Sequence, residues 1–180
     1  MLLEDVFREI LNNKTNLKLI INPTEDQIFR LVSEFGFKSY NFSLVLDELL
    51  INSIEHGKPP INFYYGQNQE YYYFGVLDFG PGIHETVPRN ERLRDTKNKA
   101  STAIIRLSLE EGITGTSVVG RGMGLSILSK FIQNSDSEVL IASNSGYVKQ
   151  VGSNFFEKKL NNDIRANLIA LKINKKDLGL

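Results

Sequence analysis

Apolar residues recur at helical spacing from the start of the chain. Leu2, Leu3, Val6, Phe7, Ile10 and Leu11 predict a helix over 2–13, ended by Asn12-Asn13. Leu17–Ile21 is a short apolar run closed by Asn22-Pro23, and it predicts a strand. Thr24 with Gln27 three residues on has the form of a capping box. The helix it opens carries Ile28, Leu31, Val32 and Phe35 and should stop near Gly36. A second helix is predicted over 42–56, because Gly57 and Pro59-Pro60 forbid its continuation. Two β-rich runs, 61–65 and 71–78, flank Gly66-Gln67-Asn68-Gln69 and predict a hairpin.

The pattern weakens between 80 and 119. Gly80-Pro81-Gly82 opens a polar, charged stretch, and only a short helix over 100–110 interrupts it. Long insertions of this kind are commonly lids or binding loops. A helix is predicted from Gly124 to about Gln133, a second hairpin over 138–142 and 147–151 around Asn144-Ser145-Gly146, and a last strand over 168–173. Residues 153–166 show no clear period. Strands arrive as hairpins and helices in separate runs, which predicts an α+β fold: a two-layer α/β sandwich whose mixed, mostly antiparallel sheet is covered on one face by helices.

Composition narrows the chemistry. The chain has 180 residues, enough for one domain with a real core. Lys+Arg and Asp+Glu both number 21, so binding to nucleic acid through bulk charge is not expected. With no cysteine, disulfides, thiolate metal sites and thiol nucleophiles are excluded. His56 and His84 are the only histidines, which leaves little for a multi-histidine metal site. The acidic start Met1-Leu2-Leu3-Glu4-Asp5 does not resemble a signal peptide, and no apolar run approaches the ~18 residues of a membrane span. A cytoplasmic protein with no membrane or nucleic-acid partner is the expectation.

Three segments concentrate candidate chemistry. In the helix over 42–56, Glu48, Asn52 and His56 fall at i, i+4 and i+8 on one face, while Leu46, Leu49, Leu50 and Ile54 form the apolar side. Asn52 offers a neutral oxygen suited to Mg²⁺, and Glu48 a carboxylate able to take a proton. Asp78-Phe79-Gly80-Pro81-Gly82-Ile83 follows a strand, and its glycines allow a tight turn and close approach of a flat ligand. Asp-Phe-Gly also invites a protein-kinase reading, but the chain has no His-Arg-Asp loop and no Val-Ala-Ile-Lys strand. Gly120-Arg121-Gly122-Met123-Gly124-Leu125 opens a helix and exposes backbone amides to an anion, without the Gly-Lys-Ser/Thr of a Walker A loop. Taken singly, these segments read as readily as a solvated helix face, a strand-ending turn and a glycine-rich turn.

Their order and combination resemble the GHKL ATPase superfamily of gyrase-type ATPases, the large heat-shock chaperone, histidine kinases and mismatch-repair ATPases. Glu48-x-x-x-Asn52-x-x-x-His56-Gly57 resembles its N box, Asp78-x-Gly80-x-Gly82 its G1 box and Gly120-x-Gly122-x-Gly124-Leu125 its G2 box, over residues 17–173. The resemblance implies an ATP or ADP site with Mg²⁺. Glu48 would be the general base and Asn52 the metal ligand. Asp78 would accept from the adenine amine, with Gly80, Gly82, Ile83 and His56 in the pocket. The amides of Gly122, Met123, Gly124 and Leu125, after Gly120 in the same box, would cradle the phosphates; from position alone, not from the resemblance, Arg121 and Lys58 would add charge near them. Residues 84–119 would form an ATP lid. Where many members carry Gly-Thr near the last strand to support the adenine-binding Asp, this chain has Ala166-Asn167, and Asn167 is expected to hydrogen-bond in its place.

Transducer domains do not fit in this length, and no histidine lies before residue 17 to act as a phospho-acceptor. Residues 1–16 are expected as an N-terminal helix packed on an ATPase domain spanning 17–180. The chain is most similar to the stand-alone anti-sigma-factor serine/threonine kinases. That implies phosphorylation of a small antagonist protein, a sigma-like factor as a further partner, and a homodimer. Arg89, Arg92, Arg94, Lys97 and Lys99 make the expected lid basic, which a solvated flexible loop explains better than phosphate contact or partner docking does. The alternative function is an ATP-gated interaction module with little or no turnover.

Overall fold

The computed structural model describes residues 17–35, 40–89, 91–110 and 124–179. The helix predicted over 2–13 lies outside them, as do Gly120, Arg121, Gly122 and Met123. Strand β1 is Lys18–Ile21, and helix α1 is Glu25–Glu34. The α1 cap forms as its sequence requires: Thr24 Oγ1 accepts from Gln27 N at 3.3 Å, and Gln27 Oε1 accepts from Thr24 N at 3.0 Å. Helix α2 runs Tyr40–His56, starting two residues before the expected Phe42. Its apolar side is buried as the spacing predicts, with Leu46, Leu49 and Leu50 nearly inaccessible.

Strands β2 (Asn62–Gln67) and β3 (Tyr71–Asp78) form the first hairpin. Its turn falls later than predicted. Gly66 and Gln67 pair in the ladder, and Asn68 makes the turn instead, its Oδ1 accepting from Glu70 N (2.9 Å) and Tyr71 N (2.7 Å). Next come the one-turn helix α3 (Ile83–Thr86), two 3₁₀ segments, and helix α4 (Ser101–Ser108). Helix α5 (Gly124–Gln133) leads to β4 (Glu138–Ser143), β5 (Gly146–Val151), β6 (Asn154–Lys159) and β7 (Asn167–Asn174). The β4–β5 turn is Asn144-Ser145, with Asn144 at φ 53°. Strand β6 lies within the stretch that shows no period in sequence. It is an exposed edge strand, so its sequence has no buried face to advertise.

All seven strands form one sheet in the order β1-β2-β3-β7-β4-β5-β6. Each pairing among the described residues is antiparallel, so the expected mixture of directions is not found there. Hairpins alternate the direction within each half. Strands β3 and β4 consequently run the same way, and β7 enters between them antiparallel to both.

Side chains alternate across the sheet. Phe74, Val76, Val139, Ile141, Val148, Leu171 and Ile173 meet Ile28, Leu46, Leu50, Ile105, Leu128 and Ile132 from the helices in the main core. Tyr73, Leu77, Leu140, Ala142, Leu168 and Ala170 face the other way, where Leu160 and Ala166 of the β6–β7 connection join them. The expected loop over 84–119 is not uniformly a loop. Ile104 and Ile105 of α4 are fully buried, and the helix packs on β5 and β6. No described helix is long and apolar enough to cross a membrane.

Candidate functional site

Three strand ends lie in a row. Asp78 ends β3 opposite Asn167, which opens β7, and Asn167 is in turn opposite Ser143, which ends β4. Antiparallel pairing therefore puts their side chains on neighbouring positions of one face. Asn167 Nδ2 donates to Asp78 Oδ1 at 3.0 Å, and Gly80 N donates to the same oxygen at 2.8 Å. The hydrogen bond expected of Asn167 is therefore present. Asp78 is only 6 % exposed. Burial raises its pKa above the ordinary 3.8, while hydrogen bonds from Asn167, Gly80 and Ser53 act against that rise.

The turn after β3 is held on both sides. Asn167 Nδ2 also donates to Pro81 O at 3.0 Å, and Ile83 N donates to Ser143 Oγ at 2.9 Å. Gly82 O accepts from Glu85 N and Thr86 N, which starts α3. A Cβ on Gly82 would stand 1.9 Å from Asn144 Oδ1. A larger residue at this position would have to displace the Asn144 side chain of the β4–β5 turn, a neighbour the spacing of the G1-like segment does not reveal. Phe79 N donates to Lys58 O at 3.3 Å, joining the end of α2 to the same turn. Gly57 makes that join possible, since a Cβ there would lie 2.9 Å from Asp78 Cβ and 2.2 Å from Ser53 O.

Helix α2 brings Glu48 and Asn52, both half-buried, toward this end of the sheet through Ser53, which is hydrogen-bonded to Asp78. Glu48 packs against the first residue of α5: a Cβ on Gly124 would lie 3.0 Å from its Oε2. Its other oxygen, Oε1, is buried with no hydrogen-bond partner among the described residues. A carboxylate oxygen left in that state costs free energy unless something supplies a donor or cation. Asp47 next to it is pushed up from the usual carboxylate value by burial.

The structure links Asp78, Gly80, Gly82, Ile83 and Asn167 at the strand ends, and packs Glu48 against Gly124; Asn52 is half-buried on the same helix as Glu48, and Leu125 follows Gly124 on α5. Gly120, Arg121, Gly122 and Met123 fall outside the described residues, as do the side chains of His56, Arg89, Arg92 and Arg94. Lys97 and Lys99 are exposed, and Lys99 O accepts from His84 Nε2 at 3.0 Å. The sequence does not single out Ser53, Ser143 or Asn144. Ser53 stands inside the N-box-like helix and could be found there, whereas no local signal marks Ser143.

A divalent ion and a nucleotide fit this donor set. Asn52 supplies a neutral oxygen, Glu48 an unsatisfied carboxylate oxygen, and Asp78 an acceptor held in place. Among the described residues no cluster of three or more His, Asp or Glu is arranged to hold a metal. No protein-family model matches the chain, and no curated protein is similar to it.

Proposed function

We propose that this chain is a GHKL-type ATP-binding module working as an anti-sigma-factor-like serine/threonine kinase on a small partner protein. The observation that carries the reading is Glu48: a carboxylate with one buried oxygen that nothing in the described fold uses, one helical turn before Asn52. A carboxylate oxygen buried without a partner among the described residues is what a site that receives a donor or cation would leave there. The Asp78–Asn167 hydrogen bond supports the same reading, because it holds an acceptor where an exocyclic amine would bind.

Mg·ATP, when bound, supplies the phosphoryl group and the charge neutralisation that its transfer needs. Asp78 would accept from the adenine amine, and Asn52 would offer its side-chain oxygen to the metal. Glu48 would take the proton of a serine or threonine hydroxyl of the partner, whose oxygen receives the phosphoryl group with ADP as leaving group.

Glu48→Gln should keep nucleotide affinity and lose phosphate transfer to candidate antagonist proteins, by about 10²–10⁴-fold. Calorimetry with Mg·ATP and a radiolabel transfer assay measure the two. If the unsubstituted protein binds ATP yet neither transfers phosphate nor hydrolyses it faster than Glu48→Gln, the chain is an ATP-gated interaction module instead. If it does not bind ATP, both readings fail.

A further inference from the structure

The hydrogen bonds around Asn167 run in one direction, and their meaning for ligand recognition rests on the nucleotide reading of the site. Ile83 N donates to Ser143 Oγ at 2.9 Å, and the Ser143 hydroxyl donates to Asn167 Oδ1 at 2.8 Å. Asn167 Nδ2 then donates to Asp78 Oδ1 and to Pro81 O, each at 3.0 Å. The order is forced by chemistry. A carboxylate and a carbonyl only accept, so the amide must turn its NH₂ toward Asp78 and Pro81. Its oxygen is then left facing Ser143, which must donate. Asn144 Oδ1, at 3.2 Å from Ser143 Oγ, is the longer alternative for that one proton.

We propose that Ser143 is a positioning residue for base recognition. Through Asn167 it locks the Asp78 carboxylate and the Gly80–Ile83 turn in the one arrangement that accepts an exocyclic amine. Ser143 is fully buried on the β4 end and acts without touching the nucleotide. Both hydrogens of the Asn167 amide are spent, so Asn167 has no donor for the base, and selectivity for the amine falls on Asp78. Without the Ser143 hydroxyl, Asn167 Oδ1 loses its donor and Ile83 N its acceptor, so the turn is no longer tied to the amide that orients Asp78.

The test compares Mg·ATP with Mg·purine-riboside triphosphate, which lacks the exocyclic amine, by calorimetry on the full chain. The unsubstituted protein should prefer ATP. Ser143→Ala should weaken ATP about tenfold and leave the analogue within about twofold, and the near-isosteric Asn167→Leu should do the same. A merely structural role would weaken both ligands alike, and that result overturns the proposal, as does an unchanged preference for ATP. If the unsubstituted protein binds both ligands equally, the assignment of Asp78 to the amine itself fails. A measurement on the unsubstituted protein keeps the proposal open to refutation should both variants misfold. The Asn167 side-chain amide protons should exchange with solvent at least about tenfold more slowly than those of exposed asparagines. Exchange as fast as theirs rules out the lock.

Discussion

Asp78 is buried, and its pKa lies above 3.8 because burial outweighs the hydrogen bonds from Asn167, Gly80 and Ser53. The folded chain therefore holds the Asp78 proton more tightly than the unfolded chain does. Stability from this group is full below the unfolded value and is lost as pH rises through the folded one. Above its folded pKa the ionised carboxylate is a net cost, kept for what it accepts. Asp78→Asn should accordingly raise the melting temperature at pH 7, by about 2–4 °C for each kcal/mol recovered, and the gain should vanish below about pH 3.8. The same change should weaken nucleotide binding, since an amide can turn a donor toward the amine. Melting curves across that pH range together with ATP titrations would check both halves. A variant that melts lower at pH 7 would contradict the burial argument.

At the scale of elements, α4 is a structural piece inside a stretch whose sequence suggests a lid. Residues 84–99 look polar, because Arg89, Arg92, Arg94, Lys97 and Lys99 crowd that part of the expected lid over 84–119. Yet Ile104 and Ile105 are fully inaccessible, and Ser101 Oγ lies 3.2 Å from Ser145 Oγ at the β4–β5 turn. Ile105→Ala should lower stability by about 2–4 kcal/mol, with or without nucleotide, in denaturant titrations. A loss that appears only with nucleotide bound would mean that α4 packs as part of a closing lid. The short helix is legible because Ile104, Ile105 and Ser108 share one face, but its burial is not. Two isoleucines in charged surroundings do not say which strands they will cover. By contrast, the capping box of α1 and the apolar side of α2 are legible in full, since both depend on local spacing along one helix.

The whole molecule is closed by its last strand. β7 sits at the centre of the sheet between β3 and β4, with Leu168, Ala170 and Ile173 inaccessible, and it joins two halves that otherwise share no ladder among the described residues. Without it, β3 and β4 each lose a ladder partner and the core loses Leu171 and Ile173. A chain ending at Ala166 should therefore show no cooperative unfolding transition in urea, whereas the full chain should unfold in one step. A sigmoidal transition in the shortened chain, followed by circular dichroism, would show that the halves are stable alone. The same placement assembles the site. Asn167 reaches Asp78, 89 positions earlier in sequence, only because β7 pairs with β3.

Helix and strand periods, the caps, the two hairpins and the order of the three glycine- and acid-bearing segments were determined by the sequence itself, because each is a relation between residues close along the chain. The antiparallel pairing of β1 with β2 and of β7 with β3 and β4, the edge position of β6 and the place of β7 were decided only in three dimensions. They depend on which strand edges meet, and no local pattern encodes that. The site divides in the same way. Glu48, Asn52, Asp78 and Gly82 stand out by spacing, while Ser143 looks like any serine at the end of a strand. It acquires a role only when the pairing of β4 with β7 sets its hydroxyl 2.8 Å from Asn167 Oδ1.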